Sequence, residues 1–315
     1  MIIDQTVTDR FALYHGDCVE AIRELPPSSV HYSIFSPPFS SLYTYSSSER
    51  DMGNCKDDGE FFAHFGFLVD ELLRVTIPGR LLSFHCMLLP TSKQNHGYIG
   101  LRDFRGDLIR AFTAKGWIYH SEVCIWKDPV TSMQRTKALG LLHKTIRKDS
   151  SMSRQGVADY LVTMRKPGTN PAPVAHANDE IPVKVWQRYA SPVWATTRGV
   201  DDEGFKVCVG DEVPGDDTST INPSDTLQKE SAREDRDERH ICPLQLGVIR
   251  RAVRLWTNPG DVVLSPFAGI GSEGFVALQE GRRFVGAELK ASYYKQAAAN
   301  CRSASTETDR QPSLF

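Results

Sequence analysis

Residues 262–288 restrict the possible fold more than any other part of this chain. VVLSPF reads as a buried strand, a glycine loop ending at Gly274 follows, and GFVALQEG and RRFVGAEL read as a helix and a second strand. Gly269, Gly271 and Gly274 have the spacing G-x-G-x-x-G, which allows a tight turn and a close approach of the backbone. Strands joined through a helix lie parallel in one sheet, so this block predicts an α/β protein.

The same alternation of strands and helices runs through the first 127 residues. FALYHG and VHYSIF are predicted strands around a short helix, and EFFAHFGFLVDELLRVTI is a predicted helix that ends at Pro78-Gly79. The strand GRLLSFHC, a helix near FRGDLIRAFTAKG and the strand WIYHSEVCIWK follow. Two further helices are predicted at PLQLGVIRRAVRLW and ASYYKQAAANC. The pattern indicates a doubly wound, mostly parallel sheet covered on both faces.

Composition argues against several classes of protein. The formal net charge of -2 and the pI near 6.5 give no overall sign of a nucleic-acid binder, so such a function requires local basic patches. The 7 cysteines include no Cys-x-x-Cys pair, which argues against a zinc site and a disulfide framework. We expect no metal. No run of about eighteen apolar residues and no signal pattern occur, so we expect a cytoplasmic protein that does not enter a membrane.

The regular pattern breaks after Lys127. Residues 131–168 contain eight basic and two acidic side chains, and residues 200–239 contain thirteen acidic and five basic ones. YLVTMRK within the basic segment reads as a strand that returns to the sheet. We therefore divide the chain into a first half of the main domain (1–129), an inserted region (130–235), a second half of the main domain (236–300) and a flexible tail (301–315).

The glycine loop predicts a site for a ligand with a ribose. Glu288 ends the strand after the loop, nineteen residues beyond Gly269, where a carboxylate can accept hydrogen bonds from ribose hydroxyls. A glycine at an ordinary strand-to-helix turn is the simpler alternative. Two details disfavour a nicotinamide cofactor: SPFA widens the loop before the first glycine, and the block lies late in the chain.

The stretch SPPF, residues 36–39, ends the strand VHYSIF with a rigid turn. Both prolines lack an amide hydrogen, so Ser36 and the Pro37 carbonyl can accept hydrogen bonds from an amino group on a base. Phe39 can stack on a base that has left the duplex. A plain Ser-Pro-Pro loop without any function is the alternative for these four residues alone.

The chain resembles the amino-group DNA methyltransferases of the beta class in two blocks, GDCVEAIRELPPSSVHYSIFSPPF and HICPLQLGVIRRAVRLWTNPGDVVLSPFAGIGSEGFVALQEGRRFVGAELKASYY. The resemblance covers residues 11–129 and 236–300 and is most specific in the second block. In that class the catalytic turn precedes the S-adenosylmethionine motif, and a target-recognition region lies between them. The resemblance implies a Rossmann-like methyltransferase fold in which both loops serve one site.

The resemblance also implies roles for single residues. The catalytic turn consists of Ser36, Pro37, Pro38 and Phe39. The implied cofactor contacts are Asp17 and Cys18 at the adenine, Cys242, Pro243 and Leu244 along the methionine portion, Phe267, Gly269 and Gly271 in the loop, and Glu288 at the ribose. Ser265 is a further cofactor position, but the family usually has aspartate there, so an acidic contact to the cationic end of the cofactor is expected to be missing.

The target base follows less directly. In the family, Asp-Pro-Pro-Tyr usually accompanies adenine N6 and Ser-Pro-Pro-Tyr usually accompanies cytosine N4, so Ser36 favours cytosine. The longer stretch SPPFSSLYTYSSSERDMGN is most similar to solitary and phage-borne members that are associated with adenine. We predict methylation of adenine N6 in double-stranded DNA by base flipping, with cytosine N4 as the alternative.

Other activities fit less well. Methylation at carbon 5 of cytosine needs a Pro-Cys turn, which is absent, and methylation of a glutamine amide in protein would not need the basic segment. A nicotinamide-dependent oxidoreductase and a non-catalytic DNA-binding regulator remain as remote alternatives.

The region between the two blocks supplies candidate DNA contacts. The predicted phosphate contacts are Lys144, Arg147, Lys148 and Arg154. Trp186, Tyr189 and Trp194 form either a base-reading surface or a local hydrophobic core. The resemblance further implies a homodimer.

Overall fold

The computed structural model describes residues 2–39, 51–127, 140–177, 180–194, 221, 225–227 and 244–310, without the side chains of residues 95 and 307–310. The strands are β1 Ile2–Val7, β2 Phe11–Gly16, β3 Val30–Phe35, β4 Thr76–Met87, β5 Leu89–Pro90, β6 Leu101–Arg102, β7 Ile118–Ile125, β8 Asp159–Arg165, β9 Val193–Trp194, β10 Val262–Ser265 and β11 Arg283–Glu288. The helices are α1 Cys18–Arg23, α2 Asp58–Val75, α3 Lys93–His96, α4 Phe104–Ala114, α5 His143–Ile146, α6 Val183–Tyr189, α7 Leu246–Trp256, α8 Ser272–Gln279 and α9 Ala291–Arg310.

The described residues form a nine-stranded sheet in the order β1-β2-β11-β10-β3-β4-β8-β7-β9, and β5 pairs separately with β6. The five strands from β2 to β4 in this order are parallel to their neighbours. β1 runs antiparallel at one edge, and β8 runs antiparallel to both β4 and β7. The two strands that come last in the chain thus lie between β2 and β3.

Side chains alternate between the two faces of this sheet, and each face is covered by helices. On β3, Tyr32 and Ile34 belong to a core that includes residues of α7, α8 and α9, whereas Phe35 belongs to a core built with α1, α2 and α4. This alternation is the two-residue period of a strand. Burial on both faces explains why the central strands read as nearly continuous apolar runs.

Helix α2 shows how local sequence fixes an element. The Asp57 carboxylate accepts a hydrogen bond from the Glu60 amide at 2.9 Å, and the Glu60 carboxylate accepts one from the Lys56 amide at 2.7 Å. This reciprocal capping starts the helix. Its buried face consists of Phe61, Phe65, Leu68, Val69, Leu72 and Val75, which recur at helical spacing.

The doubly wound, mostly parallel sheet predicted from the sequence is confirmed, with two differences in detail. β1 was not predicted, because it alternates only weakly between apolar and polar side chains. The strand predicted in YLVTMRK returns to the sheet as expected and lies between β4 and β7. Residues 301–310, which the sequence analysis assigned to the tail, continue α9.

In the part of the chain that the structure describes, no helix is both long and apolar enough to span a bilayer.

Candidate active site

The carboxyl ends of four parallel strands meet at one edge of the sheet. Val263 of β10 lies beside Tyr32 of β3, and Glu288 of β11 lies beside His15 of β2, so the loops that follow these strands are neighbours. Between them opens a cleft with about 1170 Å³ of space. Ligands of open α/β sheets bind at this edge, where the order of strands along the chain reverses.

Ten of the predicted site residues line this cleft. They are Asp17, Cys18, Ser36, Pro37, Pro38, Phe39, Leu244, Phe267, Gly269 and Glu288. Ser265 and Gly271 are described but lie behind the cleft wall, and the Ser265 hydroxyl is fully buried with no hydrogen-bond partner among the described residues. Cys242 and Pro243 fall outside the described residues. The SPPF turn and the glycine loop therefore face one space.

The SPPF turn presents the partly exposed hydroxyl of Ser36 next to two buried prolines. Pro37 and Pro38 are buried, whereas Ser36 and Phe39 are half-buried. The Phe39 ring meets the rings of His85 and Phe104 edge-on, with centroids 6.5 Å and 6.2 Å away. The phenyl ring is thus held from behind while part of its surface lines the cleft.

Glycine is required at two positions of the glycine loop for different physical reasons. Gly269 has φ +53°, and a Cβ added there would meet nothing within 4 Å, so its backbone borders open space. Gly271 has φ +87°, and its Cβ would lie 3.0 Å from the Ala297 Cα of α9. Gly269 keeps the cleft accessible, whereas Gly271 lets the loop pack against α9.

Glu288 is fixed by two backbone amides at the end of β11. Its Oε2 accepts a hydrogen bond from the Gly269 amide at 2.8 Å, and its Oε1 accepts one from the Lys290 amide at 2.9 Å. Burial raises the pKa of Glu288 to about 7, although the backbone hydrogen bonds act in the opposite direction. The carboxyl is therefore oriented toward the cleft and changes its charge near neutral pH.

Asp17 and Cys18 form the wall on the side of β2. The Asp17 carboxylate caps α1 by accepting a hydrogen bond from the Glu20 amide at 3.0 Å. Burial raises the pKa of the Cys18 thiol far above its ordinary value. Cys18 therefore contributes a small neutral surface rather than a reactive thiolate.

A chain of polar side chains behind Ser36 was missed in the sequence. Ser36 Oγ lies 3.1 Å from His85 Nδ1, and His85 Nε2 lies 2.8 Å from Asp159 Oδ2. The Lys127 ammonium pairs with the same carboxylate oxygen. Burial alone would raise the pKa of Asp159, but His85 and Lys127 outweigh it, so this pKa is below its ordinary value. A histidine in the mostly apolar run LLSFHC was the available signal.

Other lining residues were also missed. Glu273, in the first turn of α8, is 5% exposed, and burial raises its pKa to about 8. The Lys290 ammonium lies 4.6 Å from the centre of the Tyr293 ring, which lines the cleft. Asp51 and Met52 enter from the segment before α2. Among the described residues, no cluster of three or more metal-ligating side chains occurs.

The predicted DNA contacts divide into two groups. Lys144, Arg147 and Lys148 are exposed. Arg154 is partly buried, its amide donates a hydrogen bond to the Gly140 carbonyl at 2.8 Å, and burial lowers the pKa of its guanidinium. The first three side chains are accessible to a polyanion, whereas Arg154 also stabilises the segment.

The three aromatic residues divide in the same way. Tyr189 and Trp194 are 3% and 1% exposed, and the Arg251 guanidinium lies over both rings. Trp186 is 55% exposed. Two of the three thus belong to a hydrophobic core, and Trp186 alone remains available as a contact surface.

The sequence is similar to a family of DNA methylases and to individual DNA methyltransferases. A model of the N6/N4 methylase family, described as DNA methylase, matches residues 30–299. The DNA adenine methyltransferase YhdJ of Escherichia coli (strain K12) is 39% identical over 61 residues, which are 19% of this chain and 21% of that protein. The type II methyltransferase M.BglII of Bacillus subtilis is 30% identical over 283 residues, which are 89% of this chain and 66% of that protein. The chain thus matches less than two thirds of the length of either relative.

A solved structure shares the fold over nearly the whole chain. Protein TTHA0409 of Thermus thermophilus, in complex with S-adenosyl-L-methionine, superposes with a TM-score of 0.62 and 20% identity. The alignment covers 94% of this chain and 96% of the other. This likeness concerns the architecture of the sheet and its helices.

Proposed function

Because the chain belongs to the N6/N4 DNA methylase family, we propose that it transfers a methyl group from S-adenosylmethionine to an exocyclic amino group of a base in double-stranded DNA. One observation carries the proposal: Ser36 to Phe39 and the glycine loop line the same cleft. A methyl acceptor and a methyl donor must meet within about 3–3.5 Å, and a shared cleft permits this.

The residues of the cleft fit this cofactor. Gly269 borders open space where a side chain would intrude, and Glu288 is held with its carboxyl at the cleft, where it can accept hydrogen bonds from ribose hydroxyls. Phe267, Leu244 and Tyr293 supply apolar surface. When bound, S-adenosylmethionine supplies an electrophilic methyl group on a sulfonium.

The SPPF turn would hold the amino group that receives the methyl. Ser36 and the Pro37 carbonyl accept the two amino hydrogens, which leaves the nitrogen lone pair free for attack. As the bond from nitrogen to the methyl carbon forms and the bond from that carbon to sulfur breaks, one of these hydrogens is released to solvent as a proton. Phe39 stacks on the base, and this contact offsets part of the few kcal/mol needed to flip it out of the duplex. Catalysis then rests on positioning and on aligned acceptors rather than on a covalent intermediate.

We propose adenine N6 as the acceptor. The support is the resemblance of the extended SPPF region to adenine-associated members and the local similarity to YhdJ, whose name states adenine as its base. Cytosine N4 is the alternative, because Ser36 stands where the adenine enzymes of the family usually have aspartate. Both bases present an amino group to the same acceptors.

A single labelling experiment tests the reaction and the base. Unmethylated DNA is incubated with the protein and cofactor carrying a tritiated methyl group, and the DNA is then digested to nucleosides and separated by chromatography. We expect label in N6-methyldeoxyadenosine. Label in N4-methyldeoxycytidine would establish the alternative, and unlabelled nucleosides would contradict amino methylation. Ser36→Ala should lower turnover while cofactor binding persists.

We also propose that the protein acts as a homodimer, as its resemblance to the beta class implies. A mass measurement in solution at micromolar concentration should give twice 35.2 kDa. A monomer mass would contradict the dimer without affecting the proposed reaction.

A further inference from the structure

Ser36 is the outermost member of a buried chain of polar contacts that ends in an ion pair. His85 is 7% exposed and Asp159 is 2% exposed, so solvent contributes little to either side chain. The register of β4 and β8 places His85 opposite Leu161, and Asp159 lies two residues away on the same face of β8. Two adjacent strands therefore fix the imidazole between the carboxylate and the Ser36 hydroxyl.

The charges in this chain determine the direction of each hydrogen bond. An ionised Asp159 carboxylate can only accept, so His85 Nε2 carries the proton in the 2.8 Å contact. Lys127 pairs with the same carboxylate, so Asp159 keeps a positive partner when His85 is neutral. A neutral imidazole protonated at Nε2 has a bare lone pair at Nδ1. Ser36 must then donate its hydroxyl hydrogen to Nδ1 across 3.1 Å.

This direction decides what Ser36 offers to a substrate. A free serine hydroxyl is both donor and acceptor, and it could donate its hydrogen to the amine lone pair that has to attack. A hydroxyl already committed to His85 has only acceptor lone pairs left for the cleft. Ser36 then behaves toward the amine as an aspartate would, because an ionised carboxylate is acceptor-only.

We propose that His85, held by Asp159 and Lys127, is a positioning residue that turns Ser36 into a pure hydrogen-bond acceptor for the substrate amine. This rests on the proposed methyl transfer and adds a residue to it. His85 does not itself need to touch the base, since it acts through Ser36.

Two isosteric substitutions separate this role from mere packing. In His85→Asn, the amide oxygen takes the place of Nδ1 and can still accept from Ser36. In His85→Gln, the amide can reach Asp159 but leaves Ser36 without its acceptor. Both variants, wild type and Ser36→Ala are compared by kcat for methyl transfer, by cofactor dissociation constant and by thermal unfolding.

We expect His85→Gln to lower kcat by about tenfold, the scale of one lost hydrogen bond, with cofactor affinity unchanged. His85→Asn should recover most of this loss. In the Ser36→Ala background, His85→Gln should cause no further loss, because the two residues act as one unit. A structural role would instead give the same loss in both backgrounds, and that result would overturn the proposal.

A measurement on the unmodified enzyme covers the case in which the variants do not fold. Selective ¹⁵N labelling of the 9 histidines reports which ring nitrogen carries the proton, and His85 is assigned in the wild-type protein from its contacts with Ser36 and Phe39. An unprotonated Nδ1 supports the proposal, and a protonated Nδ1 refutes it. If wild type binds the cofactor but labels no DNA, the proposed function fails first and the role of His85 fails with it.

Discussion

At the scale of single residues, two carboxyl groups in the cleft have pKa values displaced toward neutrality. Burial raises the pKa of Glu288 to about 7 and that of Glu273 to about 8. Glu288 faces the cleft with both oxygens on backbone amides, whereas Glu273 is almost completely enclosed in the first turn of α8. Ionisation of Glu288 should therefore affect ligand binding, whereas ionisation of Glu273 should affect the stability of the fold.

Cofactor binding should depend on Glu288 and on pH. Glu288→Ala should weaken binding of S-adenosylmethionine by about 1–3 kcal/mol, the range for hydrogen bonds to a charged group. As pH rises from about 6 to about 8 the wild-type carboxyl ionises and becomes a better acceptor, so affinity should increase. Titration calorimetry at both pH values checks this. Glu288→Gln should show no such increase, and equal affinities of wild type and Glu288→Ala would rule out the ribose contact.

Glu273 should make the protein less stable as pH rises. Its folded-state pKa of about 8 is above the ordinary value of 4.5, so the folded chain retains a proton that the unfolded chain has lost. The stabilisation is complete below pH 4.5 and is lost as pH rises through about 8. Denaturant unfolding at about pH 6 and about pH 8.5 should show a smaller decline for Glu273→Gln than for wild type. Glu24→Gln, at an exposed position, serves as the control and should leave the decline unchanged.

At the scale of elements, two helical glycines differ in the room that neighbouring elements leave for a side chain. A Cβ at Gly274 would lie 2.6 Å from the Phe284 ring and 2.8 Å from the Cys301 sulfur. Gly66 in the middle of α2 has only the flexible end of Lys115 nearby, at 3.6 Å. Two helical glycines thus have opposite environments.

Alanine at these two positions should change stability in opposite directions. Gly274→Ala should reduce the free energy of unfolding by about 1–3 kcal/mol, because an extra methyl group overpacks the contact between α8, β11 and α9. Gly66→Ala should increase it by about 0.5–1 kcal/mol through helix propensity. Urea unfolding of both variants tests the pair. Stabilisation by Gly274→Ala would mean that the contact yields more easily than the distances indicate.

The elements that could be predicted from sequence are those whose burial pattern is local. α2 was predictable because its buried residues recur at helical spacing. β10 and β11 were predictable because each is a short apolar run with glycine or charged turn residues at its ends. β1 escaped prediction because three consecutive residues, Asp4 among them, are exposed on an edge strand. The extension of α9 to Arg310 was missed because residues 302–310 are mostly polar.

At the scale of the whole molecule, the sheet brings together residues that are distant in sequence. The SPPF turn and the glycine loop were assigned to one site from their motifs and the resemblance, and the order of β10 and β3 places them side by side. His85 and Asp159 could not be predicted, because their contact depends on the antiparallel register of β4 and β8. Local patterns identify loops, whereas contacts between strands require the assembled sheet.

DNA binding should lose part of its salt dependence when the exposed basic side chains of residues 144–148 are removed. Each phosphate contact that is lost should make the slope of log K against log salt less steep by about 0.9. The triple variant Lys144→Ala, Arg147→Ala, Lys148→Ala should therefore bind more weakly at low salt, with a shallower slope. Fluorescence anisotropy across a salt series measures both quantities.

A matched control uses basic residues on another surface. Arg110 and Lys115, on and just after α4, pair with Asp107 and Asp70. Replacing both with alanine should leave the slope unchanged. Equal slopes for the triple variant and wild type would remove residues 144–148 from the DNA contact. Arg154 is left in place because its side chain is partly buried.

The Lys127–Asp159 ion pair joins the residues that follow β7 to the start of β8, two positions that residues 128–158 separate in the sequence. Asp159 is the first residue of β8, and its carboxylate also holds His85. A substitution that displaces Lys127 or Asp159 should therefore also displace the imidazole. Substitutions in residues 128–158 should accordingly be assayed for reaction rate as well as for affinity.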